Sequence, residues 1–437
     1  MIKKLCIVLF ALAALNNYAQ EGTTSPYSFY GIGSLKFKGT TENRSMGGLS
    51  IYSDSIHVNL RNPASYGGNS LKVAGYNNES RPIKFTVGGS HSSTTLKTNS
   101  DSQEAGSTTF DYLAMSMPIG KLGVGFGLMP YTSVGYKLES LNDSDVLTNR
   151  YRGEGGVNKA FLGLGYQIAK DIKIGVDASY NFGNIQNSAI EFLYTDEGEL
   201  IQYQSRESNR SDISGLNFNF GMTYTPMISE KLQLTTAFTF KPKSELTSTN
   251  QRTIATIVIN PISGQEFPVN EIEQDLEANG LKTTTLTLPS KTAFGVGIGQ
   301  PRKWFFGAEY TSLKTSQFSN PIFSIDNATF EDASEIAFGG FYIPQYTSFN
   351  KYWKRIVYRA GMRFENTGLK INNEAIKEFG ISFGVGIPVG QAFSNANFGF
   401  EVGKRGTTNQ NLIQENFVNF QLSLSLNDRW FEKRKFN

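Results

Sequence analysis

Residues equipped for catalysis are few in this chain. It has two histidines, His57 and His91, and one cysteine, Cys6. His91 lies among Ser90, Ser92 and Ser93, but no nucleophile motif surrounds it, and His57 falls in a stretch broken by glycines. Two separated histidines and a cysteine near the amino terminus do not make a metal-ligand cluster. No catalytic residue, metal or other cofactor is therefore expected, and an enzyme is not the expected class. The spacing that stands out is Arg355, Arg359 and Arg363, each four residues from the next. In a strand, where every second side chain points the same way, that spacing puts three guanidinium groups on one face. Such a face can bind the carboxylates of another segment or the head group of an anionic ligand. Buried arginines need partners whatever the function, so an ion-pair network is the first expectation and a ligand head group the second.

The element that must carry such a face is a strand of strict period two. From Ala160 to Asn184 the chain reads AFLGLGYQIAKDIKIGVDASYNFGN. Ile172, Ile174, Val176, Ala178, Tyr180 and Phe182 alternate with Lys173, Gly175, Asp177, Ser179 and Asn181, so one face is apolar and the other small or polar. Leu162, Leu164, Tyr166 and Ile168 continue the parity, and Ala169 to Asp171 form the hairpin turn. A run of about 11 residues is what a tilted strand needs to cross a bilayer. If the apolar positions meet lipid, Lys173, Asp177, Glu309, Arg355, Arg359 and Arg363 face a lumen.

The same unit recurs. Alternating stretches begin at Ile83, Asp111, Leu122, Leu162, Ile172, Leu216, Leu232, Phe294, Trp304, Ile336, Ile356, Phe379, Phe398 and Val418, about fourteen strands in all. Compact turns such as Pro118 to Gly120, Pro226 to Lys231, Gln300 to Arg302 and Pro388 to Gly390 alternate with longer polar stretches, among them Glu139 to Gly156 and a loop of about 35 residues after Phe240. Short connections on one side and long ones on the other are expected of an outer-membrane barrel, and a soluble sandwich has no reason to keep them. The expected fold is all-β, a transmembrane antiparallel β-barrel over 81–427. An even strand number would put both termini in the periplasm.

The flanks read differently. Residues 1–19, with Lys3 and Lys4 before an apolar run from Leu5 to Leu15, read as a secretory signal peptide cut near Ala19-Gln20. Its loss takes the net charge from +3 to +1, which leaves no basic field suited to nucleic acid. Residues 20–80 show no long strand pattern and many glycines; they are expected to form a hatch in or under the lumen, entering from the periplasmic side. Within it, Asn59, Asn62, Pro63 and Ala64 are the candidate hatch residues. Asn62-Pro63 is also an ordinary turn signal. Tyr180, Phe182, Trp304 and Tyr310 are expected in lipid-facing surface and interfacial girdles, and 428–437 is expected to be a polar periplasmic tail.

Several short motifs then accumulate: Met46-Gly47-Gly48 with Asn62-Pro63-Ala64, Leu288-Pro289-Ser290-Lys291 before Phe294-Gly295-Val296-Gly297, and Tyr358-Arg359-Ala360-Gly361. Gly384-Val385-Gly386-Ile387-Pro388, Gly403-Lys404-Arg405-Gly406 and Asn427-Asp428-Arg429-Trp430-Phe431 follow. In this order they resemble the FadL superfamily of outer-membrane transporters, in its Bacteroidetes, PorV-like branch. The resemblance implies a fourteen-stranded barrel with an amino-terminal hatch, through which a hydrophobic ligand passes and leaves sideways into the membrane. It also implies an alternative, a non-transporting barrel that plugs or gates the large translocon of the type 9 secretion system. The partners so implied are outer-membrane lipid, a hydrophobic ligand or that translocon. A soluble extracytoplasmic β protein is the third reading, which the lipid-length alternation disfavours.

Overall fold

In the computed structural model, residues 22–54, 56–68, 82–142, 144, 146–260, 262–322, 327–389 and 394–428 are described. The expected signal peptide, the chain between 69 and 81 and the tail from 429 lie outside them.

Alternation becomes pairing most plainly at the hairpin read from the sequence. Leu147–Ala169 and Ile172–Glu191 pair antiparallel from Ala169↔Ile172 to Asn149↔Glu191. Neighbouring strands continue in the same way until the last, Gln414–Asp428, pairs with the first, Ile83–Lys97, from Ile83↔Asp428 to Lys97↔Gln414. The result is a closed antiparallel barrel of fourteen strands. In chain order these are β1 (Ile83–Lys97), β2 (Ser102–Ile119), β3 (Leu122–Pro130 and Thr132–Leu141), β4 (Leu147–Ala169), β5 (Ile172–Glu191), β6 (Gln204–Tyr224) and β7 (Gln233–Lys241 and Ser244–Ile259). Then come β8 (Thr283–Leu288 and Lys291–Gln300), β9 (Trp304–Leu313), β10 (Ala333–Tyr342), β11 (Val357–Ile371), β12 (Glu374–Pro388), β13 (Asn395–Arg405) and β14 (Gln414–Asp428). Pairing of the last strand with the first leaves no open terminal strand for lipid to meet.

The outward face carries the apolar alternation. Leu162, Leu164, Tyr166, Phe218, Phe220 and Phe294 are exposed, and the band continues around the wall with aromatic contacts such as Phe364 to Phe379 at 4.9 Å. The inward partners Lys173, Ser179, Asn181, Asn217 and Ser382 are buried. A polar interior under an apolar exterior is the inverse of a soluble domain and fits a barrel in lipid.

Two expectations need correction. The stretch after Phe240 is not a loop of about 35 residues: Ser244–Ile259 and Thr283–Leu288 extend the wall, and Glu266–Glu273 pairs back on Ser244–Ile259. Likewise Glu139 to Gly156 is mostly strand. Beyond the lipid the outer face need not be apolar, so pairing continues where the sequence alternation fades. The turn lengths also do not alternate strictly. At the long-loop end β11 and β12 meet in the tight turn Asn372-Asn373, with φ of +48° and +67°, a left-handed conformation that asparagine tolerates. At the opposite end, between β10 and β11, the connection is long and holds the 3₁₀ turn Tyr352–Arg355.

Inside the barrel, residues 22–54 and 56–67 thread along the lumen. Pro26–Phe29 sits against the second half of β3, toward the long-loop end, where Gly135 N donates to Ser28 Oγ at 3.1 Å. Thr41–Arg44 is a single helical turn in mid-lumen, and Pro63–Tyr66 is a 3₁₀ turn against β4 to β6. Inward glycines on the wall make room for this backbone. A Cβ on Gly361 would overlap Met46 and Gly47, and one on Gly175 would overlap Pro63 and Ala64. The hatch and the wall are thus packed main chain to main chain.

Candidate binding cavity

Charge fixes the hatch to the wall. Arg61 Nη2 lies 3.0 Å from Glu309 of β9, which also accepts from Ser50 N and Ser50 Oγ at 2.8 Å each. Lys38 meets Glu378 at 2.6 Å and Glu365 at 3.1 Å, and Arg44 meets Asp111 at 3.2 Å. Arg363 completes the cluster from the wall, pairing with Glu378 and, at 2.8 Å, with Glu401. Arg405 binds Glu378 from the other side through Nε at 2.7 Å. Every charge in this group is buried or nearly so and has an opposite partner, which a low-dielectric interior demands.

The residues singled out from sequence fall into different surroundings. Asp177, Glu309, Arg359 and Arg363 point into the lumen and are buried. Asp177 Oδ2 accepts from Asn219 at 3.2 Å, while its Oδ1 has no hydrogen-bond partner among the described residues. Arg359 donates to Asn397 Oδ1 at 3.1 Å, and Asn397 in turn donates to Glu42 at 2.7 Å. Arg355 is not in line with them: it ends the 3₁₀ turn before β11, its guanidinium 5.0 Å from the ring centre of Tyr352. Asn59 ties the hatch to itself, donating to Ser50 O at 2.6 Å and accepting from Arg61 N at 3.1 Å. Asn62 caps the turn that Pro63 and Ala64 begin, its Oδ1 accepting from Ala64 N at 3.0 Å and its Nδ2 donating to Met222 O at 3.3 Å. These last three pack on the wall and do not line the main cavity.

Toward the short-turn end, His57 Nδ1 lies 2.7 Å from Asp54 and its Nε2 3.8 Å from Glu42. Burial alone would raise the Asp54 carboxyl. The charge and hydrogen bonds of His57, with Lys84, outweigh burial and hold it well below the ordinary carboxylate range. These contacts lie beside a small pocket of about 110 Å³ that Arg359, Arg355 and Tyr52 also line.

The main cavity, about 230 Å³, lies higher in the lumen. Tyr27 and Tyr30 of the hatch, Phe318 and Phe330 of the outer loops, and Leu369 and Ile376 of β11 and β12 give it an apolar lining. Lys159, Lys241 and Lys291 line it as well. Lys159 and Lys241 did not stand out in the sequence, and Lys291 did so only as the end of the Leu288-Pro289-Ser290-Lys291 motif, with no role attached. The available signal was two lysines, each near a strand-breaking proline, Pro242 and Pro289.

Beside the cavity the wall is incomplete. From Leu113 toward the short-turn end β2 pairs with β3, but its other half, Ser102–Tyr112, pairs with β1 alone. There β3 breaks at Tyr131, and its second half turns its free edge to the hatch: Ser133 pairs with Ser34, Thr132 with Leu35, and Lys36 N donates to Tyr131 O at 3.0 Å. Ser34, Leu35, Met129 and Tyr131 all line the cavity. A strip of hatch therefore replaces a barrel strand between the cavity and the outside.

In fold, the closed fourteen-stranded barrel is similar to solved barrels of the FadL and TodX type. The solved structures it resembles include the CymD monoaromatic hydrocarbon channel (TM-score 0.54, 12% identity, 91% of this chain and 100% of that one). A Pseudomonas aeruginosa FadL homologue (0.58, 13%, 90% and 98%) and the Pseudomonas putida toluene transporter TodX (0.52, 14%, 90% and 99%) are similar. The family model named BamG matches residues 1–437, and the chain belongs to the BamG family. Among curated proteins nothing matches it.

Proposed function

We propose that this protein is an outer-membrane barrel, both termini periplasmic, that passes hydrophobic small molecules between its apolar lumen cavity and the surrounding membrane. One observation carries the reading: the cavity borders the place where β2 and β3 part, and the short hatch strand Ser34–Leu35 stands at the free edge of β3 there. A molecule in the cavity has apolar walls around it and a short path sideways past a hatch strand two residues long rather than a full ladder. The CymD and TodX channels, by their names, carry monoaromatic hydrocarbons and toluene, which supports a ligand of this class. A plug or gate for a secretion translocon needs neither a cavity nor a parted wall.

The test is uptake. A deletion strain carrying the wild-type gene should accumulate a labelled aromatic or aliphatic hydrocarbon faster than the strain without it. Leu369→Trp, which fills the cavity, should abolish the difference while the barrel keeps its heat-modifiable migration. Equal uptake with and without the protein, together with a defect in protein secretion, would sink the transport reading.

A further inference from the structure

The cavity has a charged floor that the passage of neutral hydrocarbon does not use. Lys241 of β7 and Lys291 of β8 are direct cross-strand partners in the antiparallel ladder, on the lumen side. Like charges at such a position repel. Lys159 of β4 faces the same space. Among the described residues none of the three has a carboxylate within ion-pair distance: Glu309 is engaged by Arg61, and Glu365 by Lys38. What they have instead are ring faces, Lys241 Nζ 5.9 Å from the centre of Tyr131 and Lys159 Nζ 5.9 Å from that of Phe161. Elsewhere in this lumen Lys38, Arg44, Arg61, Arg363 and Arg405 meet carboxylates directly, whereas these three lysines have only the longer-range charge of Asp177, which acts on Lys159 and Lys241. Grouped at one cavity wall, they mark a place suited to an anion.

The geometry points to an anion subsite in which Lys159, Lys241 and Lys291 hold the phosphate of an amphiphile whose hydrocarbon tail lies in the apolar cavity. Phosphate suits the site better than a carboxylate. Its charge is about −2 near neutral pH, it offers three acceptor oxygens, and it is met well by separate ammonium groups that approach from different strands. The inference rests on the passage reading, because the same cavity holds the tail.

Binding of octyl phosphate, octanoate, octanol and inorganic phosphate to the full chain in zwitterionic nanodiscs tests it. Octyl phosphate should bind about tenfold or more tightly than octanol, the order of one charge-assisted hydrogen bond. Octanoate should fall between them, and the preference should shrink as salt is raised. The double variant Lys241→Met/Lys291→Met should lose the preference for octyl phosphate and keep its affinity for octanol. Freed of the opposed charges, the unliganded variant should also melt no lower than wild type, which shows that it folds. Equal binding of octanol and octyl phosphate, or an unchanged preference in the double variant, overturns the anion subsite and leaves the passage reading standing. Inorganic phosphate binding as tightly as octyl phosphate overturns the amphiphile in favour of free phosphate. If no octyl compound binds a barrel that migrates as folded, both readings fall together.

Discussion

At the scale of single residues, the lumen separates charges that are satisfied from charges that are not. Arg363 belongs to the first kind, held between Glu378 and Glu401. Arg363→Ala takes from buried Glu401 its closest cation, leaving Arg44 at 3.7 Å, and weakens the cluster on Glu378. It is expected to cost about 3–5 kcal/mol, where Arg359→Ala, with its hydrogen bond to neutral Asn397, should cost about 1–3 kcal/mol. Thermal melting of the folded barrel on gels, run on both variants, checks the order; Arg359→Ala proving the costlier would contradict it. Asp54 gives a second test. Its folded carboxyl is held below the ordinary value of 3.8, so its contact with His57 stabilises the hatch fully above about pH 4 and is lost as pH falls below that. Pepsin cleavage within the hatch should therefore rise as pH drops from about 5 to about 2, and Asp54→Asn should flatten that rise. Superimposable profiles for the two proteins would contradict this. Part of this chemistry was legible in advance: the four-residue spacing and the parity put Arg359 and Arg363 inward. Arg355 was misplaced because a 3₁₀ turn takes it out of the strand, which spacing cannot reveal. Lys241 and Lys291 were invisible as a pair, since their opposition depends on the register between strands fifty residues apart.

At the scale of elements, the strands are legible only where lipid constrains them. Leu162, Leu164 and Tyr166 must be apolar because they meet hydrocarbon, and that necessity prints a period of two into the sequence. Leu147 to Gly156, on the same strand, meets water, so hydrogen bonds hold it while its side chains are free to vary. The inward glycines record a different constraint. Gly361 is glycine because the backbone of Met46 and Gly47 lies where its side chain would be. Gly361→Val should accordingly leave β11 paired but unseat the hatch. The expected signature is a barrel that still migrates as folded yet exposes Arg44 and Arg61 to trypsin. Loss of the folded band together with the hatch would mean instead that the wall itself cannot form without it.

At the scale of the whole molecule, a wall and a filling share one chain, and the filling explains the wall's departures from regularity. Where β3 breaks at Tyr131 its free edge finds Ser34 and Leu35. Where β9, β12 and β13 carry inward glutamates, the hatch supplies Arg61, Lys38 and Arg44. A sequence read strand by strand suggests the ring. The path of the filling through it was less legible: the described hatch reaches toward the long-loop end, because its contacts are with residues hundreds of positions away and leave no local period.

The pairing of Ile83 with Asp428 also sets an order of events. The seam joins the first wall strand to the last, so the ring is sealed only when Gln414–Asp428 is in hand, whereas the hatch precedes every wall strand in the chain. A plug whose main chain lies against glycines of the wall is too wide for the gap beside the third strand once the seam is made. The expected order is therefore that the plug takes its place, with its salt bridges made, while the barrel is still an open sheet. Completion of the cylinder then captures it mechanically, and the chain holds its own contents without any covalent link beyond the backbone.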